Sequence, residues 1–383
     1  MIKQTQKINF GKRSGLEVYP VSMGAMRFPE MDKAIPLIRQ AIDAGMVYID
    51  TSRGYGDSEI KLGKALKDGY REKVILSTKC SPWVFKAEDT DDSSADCTYK
   101  RILESMRRLD VEYLDFYQVW NINSPENYEK ATCKGGMVDG IRRAVDEGLV
   151  GHIGFTTHDE PENISRYIDE ADWCEVILLT YNIFNQKYKD VVAKAHEKGI
   201  GTIIMNPACG GMLAENSPVI ADAVKSAVGI SDAVEAGHRY LKSDPNVDTI
   251  ICGITKPEDI ESTIANFKKP AFDAAQISAI EKAMNKLSPD NAKVCTSCKY
   301  CMPCPAGIDI PAMMDVVFHD KVLKVPGIAK EKYDWLTGEN NKNASKKPSE
   351  CTACKECEAK CTQNIPIAAE MAYLARREEQ SWK

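Results

Sequence analysis

The sequence lacks any long apolar segment and any large excess of charge. No run of about 18 or more apolar residues occurs, and residues 1–10 are polar, without the apolar core of a signal peptide. We therefore expect neither secretion nor a membrane partner. The 50 basic and 56 acidic residues give a net charge of −6, which removes any electrostatic reason to expect nucleic acid as a partner.

Cysteine, by contrast, is plentiful and unevenly placed. Eight of the 14 cysteines form two short runs near the carboxyl end: Cys295, Cys298, Cys301 and Cys304, then Cys351, Cys354, Cys357 and Cys361. Disulfides are disfavoured, because cysteines three residues apart lie side by side and compete for the same partners. Zinc ribbons usually offer C-x2-C pairs separated by a long loop. Three consecutive C-x2 steps fit the bacterial ferredoxin pattern, so the runs predict two [4Fe–4S] clusters, with zinc and redox disulfides as the alternatives.

In the ferredoxin pattern, the fourth cysteine of each run binds the other cluster. The predicted ligand sets are Cys295, Cys298, Cys301 and Cys361 for one cluster, and Cys351, Cys354, Cys357 and Cys304 for the other. Pro305 follows Cys304 as the pattern expects, whereas Thr362 stands where the second proline would be. Thiolate-bound iron suits a reducing compartment, so we expect the protein to be cytoplasmic.

Residues 16–270 alternate short β-branched runs with amphipathic stretches. The predicted strands cover 21–26, 47–50, 74–78, 114–119, 151–155, 176–179, 202–205 and 249–252, and predicted helices include 34–44, 59–67, 97–109, 137–147, 188–198 and 257–267. Gly45, Gly148 and Gly199 follow helices, where a left-handed cap is expected. Eight strands alternating with helices favour a (β/α)8 barrel over residues 1–290, followed by a small α-helical ferredoxin-like domain over 291–383. A doubly wound sheet is the alternative, but residues 23–29 lack its G-x-G-x-x-G motif.

Polar residues collect where the predicted strands end, which in a barrel is the catalytic face. Asp50 ends the second strand, Tyr55 lies in the following loop, and Lys79 ends the third strand. Thr156 and Thr157 end the fifth strand. We therefore expect an active site at this end of the barrel.

The residues around these positions resemble the aldo-keto reductase family. The runs 48–59, 76–79, 154–158 and 251–258 read YIDTSRGYGDSE, LSTK, GFTTH and ICGITKPE. The resemblance covers roughly residues 8–287, and with the cysteine-rich tail it extends to the iron–sulfur-containing branch of that family. It implies a bound nicotinamide cofactor, no flavin, and a catalytic tetrad of Asp, Tyr, Lys and His. Carried over, the first three members are Asp50, Tyr55 and Lys79.

The chemistry of these three side chains agrees with that implied role. Hydride delivery to a carbonyl leaves an alkoxide that needs a proton, and a phenol with a pKa near 10 is a poor donor at neutral pH. A neighbouring ammonium stabilises the phenolate, and a carboxylate beside that ammonium keeps it charged and oriented.

The fourth member of the tetrad differs. The run 113–120, YLDFYQVW, matches the family's fourth strand, and Trp120 stands in the place of the histidine. An indole donates one hydrogen bond and relays no proton, so we expect Trp120 to stack on a flat substrate or to fill the pocket. Gln118 shares its strand face and is expected to donate to a substrate oxygen. Of the five histidines, His158 lies nearest the barrel mouth and is the remaining histidine candidate.

Cofactor contacts also follow from the resemblance. Thr156 and Thr157 match the pair that binds the nicotinamide carboxamide, and Asn206, Gly210 and Gly211 match the loop under the pyrophosphate. After the eighth strand, Gly253 and Lys256 lead into a helix whose amino end favours an anion. Asp259 stands where many NADP-binding members carry arginine, and a carboxylate repels a 2′-phosphate. The expected cofactor is NAD(P)H, leaning to NAD.

The leading hypothesis is an NAD(P)H-dependent oxidoreductase that reduces a carbonyl or a conjugated double bond of a small molecule, with aromatic compounds among the candidate substrates. The alternative is an electron-transfer or redox-sensing iron–sulfur protein with a catalytically altered barrel. A non-catalytic ligand-binding protein is a third hypothesis. Because clusters carry single electrons and nicotinamide carries two, a ferredoxin-like protein or a flavoprotein is the expected redox partner.

Overall fold

The computed structural model describes residues 2–215, 217–287, 294–338, 341, 344–380 and 382. They divide into two compact units, the first made of Met1–Pro207 and Val234–Ile277 and the second of Ala208–Ala233 and Ser278–Lys383. The predicted domain boundary between residues 290 and 291 lies outside the described residues. It stays a prediction.

The first unit is a closed barrel of eight parallel strands, which confirms the predicted (β/α)8 fold. Its strands are β3 Val21–Gly24, β4 Tyr48–Asp50, β5 Ile75–Cys80, β6 Leu114–Ile122, β7 Val150–Thr157, β8 Val176–Thr180, β9 Gly201–Met205 and β10 Thr249–Gly253. All eight predicted strands are present, with ends that differ by up to three residues. The largest extension is in β6, so Trp120 falls inside a strand, where the register against β7 shifts between Val119 and Ile122.

The helices of the chain are α1 Met31–Asp43, α2 Ser58–Ala65, α3 Ala95–Leu109, α4 Pro125–Thr132, α5 Met137–Asp146, α6 Pro161–Glu170, α7 Lys189–Glu197, α8 Pro218–Val228, α9 Ala233–Lys242, α10 Pro257–Lys268, α11 Ala274–Leu287, α12 Ile310–Val317, α13 Pro326–Thr337, α14 Glu356–Ala359 and α15 Ile367–Glu379. Each predicted helix is present. Gly45, Gly148 and Gly199 have φ of 98°, 74° and 77°, which confirms the left-handed caps. Within the described residues, no helix is both long and apolar enough to cross a bilayer.

A short amino-terminal hairpin, not predicted, lies at the start of the first unit. Its strands β1 Ile8–Asn9 and β2 Glu17–Val18 pair antiparallel. Phe10, between them, is fully buried, and its ring lies edge-on to the rings of Tyr48 and Phe116 at 5.3 and 5.6 Å between centroids. Tyr48 and Phe116 belong to β4 and β6, so the Phe10 ring of the hairpin packs against the barrel core.

The second unit is mostly helical around its own apolar core. Helices α12, α13 and α15 contribute buried side chains such as Met313, Tyr333 and Met371. Six of the eight run cysteines pack against this core. The thiols are therefore held by tertiary packing and not only by the local chain.

Candidate functional site

The centre of the barrel mouth is a buried ion pair between Asp50 and Lys79. Asp50 ends β4, and Lys79 is the penultimate residue of β5, the strand next to it. The Lys79 Nζ donates to Asp50 Oδ2 and, at 2.8 Å, to the Thr51 carbonyl. Their side chains are only 1% and 3% exposed. Burial raises the pKa of Asp50 and lowers that of Lys79, while the attraction between the two charges opposes both shifts.

Tyr55 lies beside this ion pair, as the sequence predicts. It lies in the loop that follows β4, and it is half-buried. The Lys79 Nζ is 4.9 Å from the centroid of the Tyr55 ring. The ammonium therefore lies close enough to stabilise negative charge on this phenol.

Trp120 lies against Tyr55 but is closed off from solvent. The two rings meet edge-on with centroids 5.1 Å apart, and Trp120 is 1% exposed. The ring of Phe85 stacks on Trp120 at 5.7 Å between centroids. Of the two expected roles for Trp120, the geometry favours filling the pocket, because Phe85 occupies one face of the indole.

Gly54 and Phe85 were not among the predicted site residues. A Cβ atom on Gly54 would lie 2.6 Å from the Phe85 carbonyl oxygen and 2.7 Å from Trp120 Cζ3, well inside van der Waals contact. A glycine directly before the candidate catalytic tyrosine was the only sequence signal. The loop carrying Phe85 comes from a different part of the chain, so its arrival here is a tertiary effect.

Gln118 is fully buried inside the barrel. Its amide nitrogen contacts Ser77 Oγ at 2.8 Å, Asp50 Oδ1 at 3.2 Å and the Tyr48 hydroxyl at 3.4 Å. The expectation that Gln118 donates to a substrate oxygen is not supported, because its amide protons are engaged within the barrel. Its contact with Asp50 makes it a support of the ion pair instead.

His158 follows β7 and is buried, with Nδ1 3.4 Å from Thr180 Oγ1. Burial lowers its pKa to about 4, so the imidazole is neutral at physiological pH. A neutral imidazole still donates one N–H hydrogen bond, so the lowered pKa does not decide the role of His158. That role stays a prediction.

The two threonines at the end of β7 differ in their hydrogen bonding. Thr157 Oγ1 donates to the Ile122 carbonyl at 2.6 Å. Thr156 Oγ1 is buried and has no hydrogen-bond partner among the described residues. The same holds for both polar atoms of the Asn121 side chain, which sequence reasoning missed. Buried polar atoms without partners are costly, and a bound carboxamide would satisfy Thr156.

The remaining predicted cofactor residues of the first unit lie at the ends of β9 and β10. Asn206 directly follows β9 with a φ of 57°, and its carbonyl accepts from the Asn182 amide at 3.0 Å. Gly253 is the exposed last residue of β10. Asp259 Oδ2 accepts from the backbone N–H groups of Thr255 and Lys256 at 2.8 and 3.2 Å, so this carboxylate caps α10.

The eight run cysteines line two separate cavities in the second unit. One is lined by Cys295, Cys298, Cys301 and Cys361, and the other by Cys304, Cys351, Cys354 and Cys357, with Cys301 also at its edge. The grouping reproduces the predicted crossing, in which each run sends its fourth cysteine to the other site. Burial raises the pKa of Cys295 and Cys301 to about 12, so iron binding would have to displace these protons.

The backbone around the two runs is repeated. Ser297 and Ala353, each two residues after the first cysteine, have φ of 52° and 53°, and Lys299 and Lys355 have φ of 63° and 62°. Alternating left-handed residues turn successive N–H groups inward and make a concave site for anions, a feature of iron–sulfur sites. In the first run, the Ser297 N–H contacts Cys295 Sγ at 3.4 Å.

Among the described residues, the run cysteines do not form a compact ligand group of the size that one tetrahedral ion requires. Zn–S bonds of about 2.3 Å keep any two sulfurs of a zinc site within about 4.6 Å. Among the described residues, the ligand atoms of Glu215, Asp315 and His319 form the one candidate group lying within 4.8 Å of one another, and it contains no cysteine. This group is separate from the residues that line the two cysteine cavities.

The glycines predicted for the pyrophosphate loop, Gly210 and Gly211, belong to the second unit and have φ of 73° and 110°. A Cβ on Gly210 would lie 2.7 Å from the Thr296 carbonyl oxygen, whereas Gly211 faces open space. Close packing against the backbone of the first cysteine run therefore explains why position 210 is a glycine. Its predicted phosphate contact stays a prediction.

Comparisons with known proteins agree with the barrel. The family model described as the aldo/keto reductase family matches residues 20–285, ending before the first cysteine run. L-galactose dehydrogenase of Arabidopsis thaliana is 26% identical over 280 residues, which cover 66% of this chain and 85% of that protein. The 6-dehydroglucose reductase of Novosphingobium aromaticivorans is 29% identical over 263 residues, 61% of this chain and 81% of that protein.

Among solved structures, the holo form of an aldo-keto reductase from Bacillus halodurans superimposes with a TM-score of 0.60 at 20% identity. The match covers 74% of this chain and 96% of that one, and it supports the barrel fold. The family model spans more than half of the chain and includes Asp50, Tyr55 and Lys79. The chain therefore belongs to the aldo/keto reductase family and is an oxidoreductase.

Proposed function

We propose that the protein is an NAD(P)H-dependent reductase of a carbonyl or a conjugated double bond, with Tyr55 as the proton donor. The observation that carries this proposal is the buried Asp50–Lys79 pair with its ammonium 4.9 Å from the Tyr55 ring. Three chemically complementary groups from two adjacent strands and one loop meet at the barrel mouth. Structural packing alone gives no reason to bury a charged pair there, because its desolvation is expensive.

A bound nicotinamide would supply a hydride to the electrophilic carbon of the substrate. The Tyr55 hydroxyl then gives its proton to the oxygen, or to the enolate, on which the negative charge develops. Lys79 stabilises the phenolate left on Tyr55, and Asp50 keeps the Lys79 ammonium charged and pointed toward the ring. Low exposure of the pair strengthens these interactions, since little water screens them.

Trp120 does not repeat the role of the family's histidine in this proposal. Its indole holds the Tyr55 ring edge-on and closes the pocket together with Phe85. The proton therefore comes from Tyr55 alone. A substrate with a flat conjugated system is still the class we propose, because the walls around Tyr55 are aromatic.

The nicotinamide fits the residues at the end of β7. Thr156 offers a buried hydroxyl without a partner, as expected for a group that binds the carboxamide. Thr157, whose hydroxyl donates to the Ile122 carbonyl, would help by holding β6 and β7 together. The contacts of Asn206, Gly253, Lys256 and Asp259 with the rest of the cofactor are part of the same proposal.

The test is the Tyr55→Phe variant, assayed with benzaldehyde and cyclohexenone and either NADH or NADPH. Turnover should fall by about 10²–10⁴-fold, since general acid catalysis contributes that much. Cofactor binding, measured by fluorescence titration, should stay within about twofold of the wild type because the phenol oxygen is not a cofactor contact in this proposal. Tyr70→Phe is the matched control, since the Tyr70 hydroxyl bonds Asp43 at an exposed position. Wild-type turnover in Tyr55→Phe would refute the assignment.

We further propose that the second unit holds two [4Fe–4S] clusters. The proposal is supported by two four-cysteine cavities and by the repeated left-handed backbone positions around them. A ferredoxin-like protein or a flavoprotein is the proposed redox partner, because the barrel chemistry moves electrons in pairs.

Anaerobic purification followed by iron, sulfide and zinc analysis tests the clusters. We expect about eight irons and eight sulfides per chain, from two cubane clusters. Cys354→Ser removes an exposed ligand and should lower both numbers, whereas Cys133→Ser removes an exposed thiol of the barrel unit and should change neither. Stoichiometric zinc without sulfide would refute this part of the proposal.

A further inference from the structure

The two cysteine runs form a structural repeat with one chemical difference. The fourth cysteine of each run is followed, three residues later, by a left-handed residue, Gly307 with φ of 75° and Asn364 with φ of 49°. Directly after the fourth cysteine, however, the first run has Pro305 and the second has Thr362. Each of these residues lines a different cavity, Pro305 the one with Cys304 and Thr362 the one with Cys361.

The Thr362 hydroxyl faces a cysteine of the opposite run. Its Oγ1 lies 3.8 Å from Cys298 Sγ, and the residue is 6% exposed. The Gln363 amide donates to Thr362 Oγ1 at 3.4 Å. With its oxygen accepting from Gln363, the Thr362 hydroxyl is free to direct its own proton toward the sulfur.

A thiolate bound to iron can only accept a hydrogen bond, so in the loaded protein Thr362 must be the donor to Cys298. Such a bond draws negative charge from the sulfur and favours the more negative, reduced state of the cluster. Proline has no hydroxyl and no backbone N–H, so Pro305 cannot do the same at the other cavity. The substitution that weakens the ferredoxin pattern in the sequence thus adds a donor in the structure.

We propose that Thr362 is a positioning residue that raises the reduction potential of one cluster, the one bound by Cys295, Cys298, Cys301 and Cys361. The inference rests on the proposed clusters and goes beyond them by making the two sites unequal. The cluster bound by Cys304, Cys351, Cys354 and Cys357 is outside the reach of this hydroxyl.

The experiment is a redox titration of the full chain, purified without air and followed by electron paramagnetic resonance. Thr362→Val keeps the side-chain shape but lacks the hydroxyl. In this variant, the ratio of reduced to oxidised cluster at a fixed potential should fall about tenfold for one cluster. This change corresponds to a midpoint potential lower by about 59 mV for a one-electron couple. The other cluster should keep its wild-type midpoint. Thr362→Ser, which retains the hydroxyl, should restore most of the shift.

Thr352→Val is the matched control, because Thr352 lines the other cavity at an exposed position. It should leave the titration of the Cys298 cluster unchanged. Iron and sulfide are counted in every variant, and Thr362→Ala provides a second comparison if Thr362→Val loads poorly. Equal midpoints in the wild type, Thr362→Val and Thr362→Ala, or equal shifts of both clusters, would overturn the role of Thr362. A wild-type protein without iron and sulfide would instead overturn the clusters themselves.

Discussion

Replacing Lys79 with methionine removes the cation from the buried pair and leaves Asp50 alone inside the barrel. The side chains of the two residues are 1% and 3% exposed, so water cannot compensate the carboxylate. Gln118 still donates to Asp50 Oδ1 at 3.2 Å, but an amide does not neutralise a charge. Breaking a buried pair by removing one partner costs about 3–5 kcal/mol, and we expect Lys79→Met to lower the free energy of unfolding by that amount at pH 8.

The pH dependence of this loss has a definite sign. Burial already raises the pKa of Asp50, and loss of Lys79 removes the attraction that opposed the shift. In the variant, the folded-state pKa therefore lies further above the unfolded value of about 3.9. Folded Asp50 then holds a proton that the unfolded chain releases, so stability declines as pH rises from about 4 through the folded-state pKa. The loss should be smaller at pH 5 than at pH 8.

The double variant Asp50→Asn, Lys79→Met is the control, because it removes both charges and retains the packing. Its free energy of unfolding should lie within about 1–2 kcal/mol of the wild type, since replacing a whole buried pair is often nearly neutral. Both variants are measured by urea unfolding at pH 5 and pH 8, followed by tryptophan fluorescence and circular dichroism. A single variant as stable as the double variant at pH 8 would refute the account of an isolated buried charge.

Two further predictions concern the walls of the site. Gly54→Ala places a methyl group 2.6 Å from the Phe85 carbonyl oxygen, so it should lower the free energy of unfolding by about 1–3 kcal/mol and reduce turnover. Gly24→Ala is the control, because its methyl group meets its nearest atom at 3.7 Å and should change thermal unfolding little. Equal losses of stability in the two variants would contradict the packing argument. Thr156→Val should weaken NAD(P)H binding, measured by fluorescence titration, by about 5–20-fold through the loss of one hydrogen bond. The unfolding midpoint should stay nearly unchanged, because the Thr156 hydroxyl has no partner to lose among the described residues. Thr157→Val removes the hydrogen bond to the Ile122 carbonyl. It should lower the unfolding midpoint and leave NAD(P)H binding nearly unchanged.

The barrel was predictable because its strands and helices are encoded locally. Each strand is a short β-branched run and each predicted helix has one apolar face, and these periods require only neighbouring residues. The strand ends then placed Asp50 and Lys79 at the same mouth, since parallel strands of a barrel end on one face. The spacing of the cysteines predicted their grouping because, in the ferredoxin pattern, the fourth cysteine of each run joins the other set.

The sequence by itself therefore determined the fold, the ion pair beside Tyr55 and the two sets of four thiols. Only the tertiary structure decided that Phe85 covers Trp120, because the two residues come from different loops and strands. The tertiary structure also decided that Gln118 turns toward Asp50. This contact depends on how deep the residue lies in the barrel, and not only on which face of the strand carries it. The contact of Thr362 with Cys298 joins residues 64 positions apart, a distance over which no local pattern carries information.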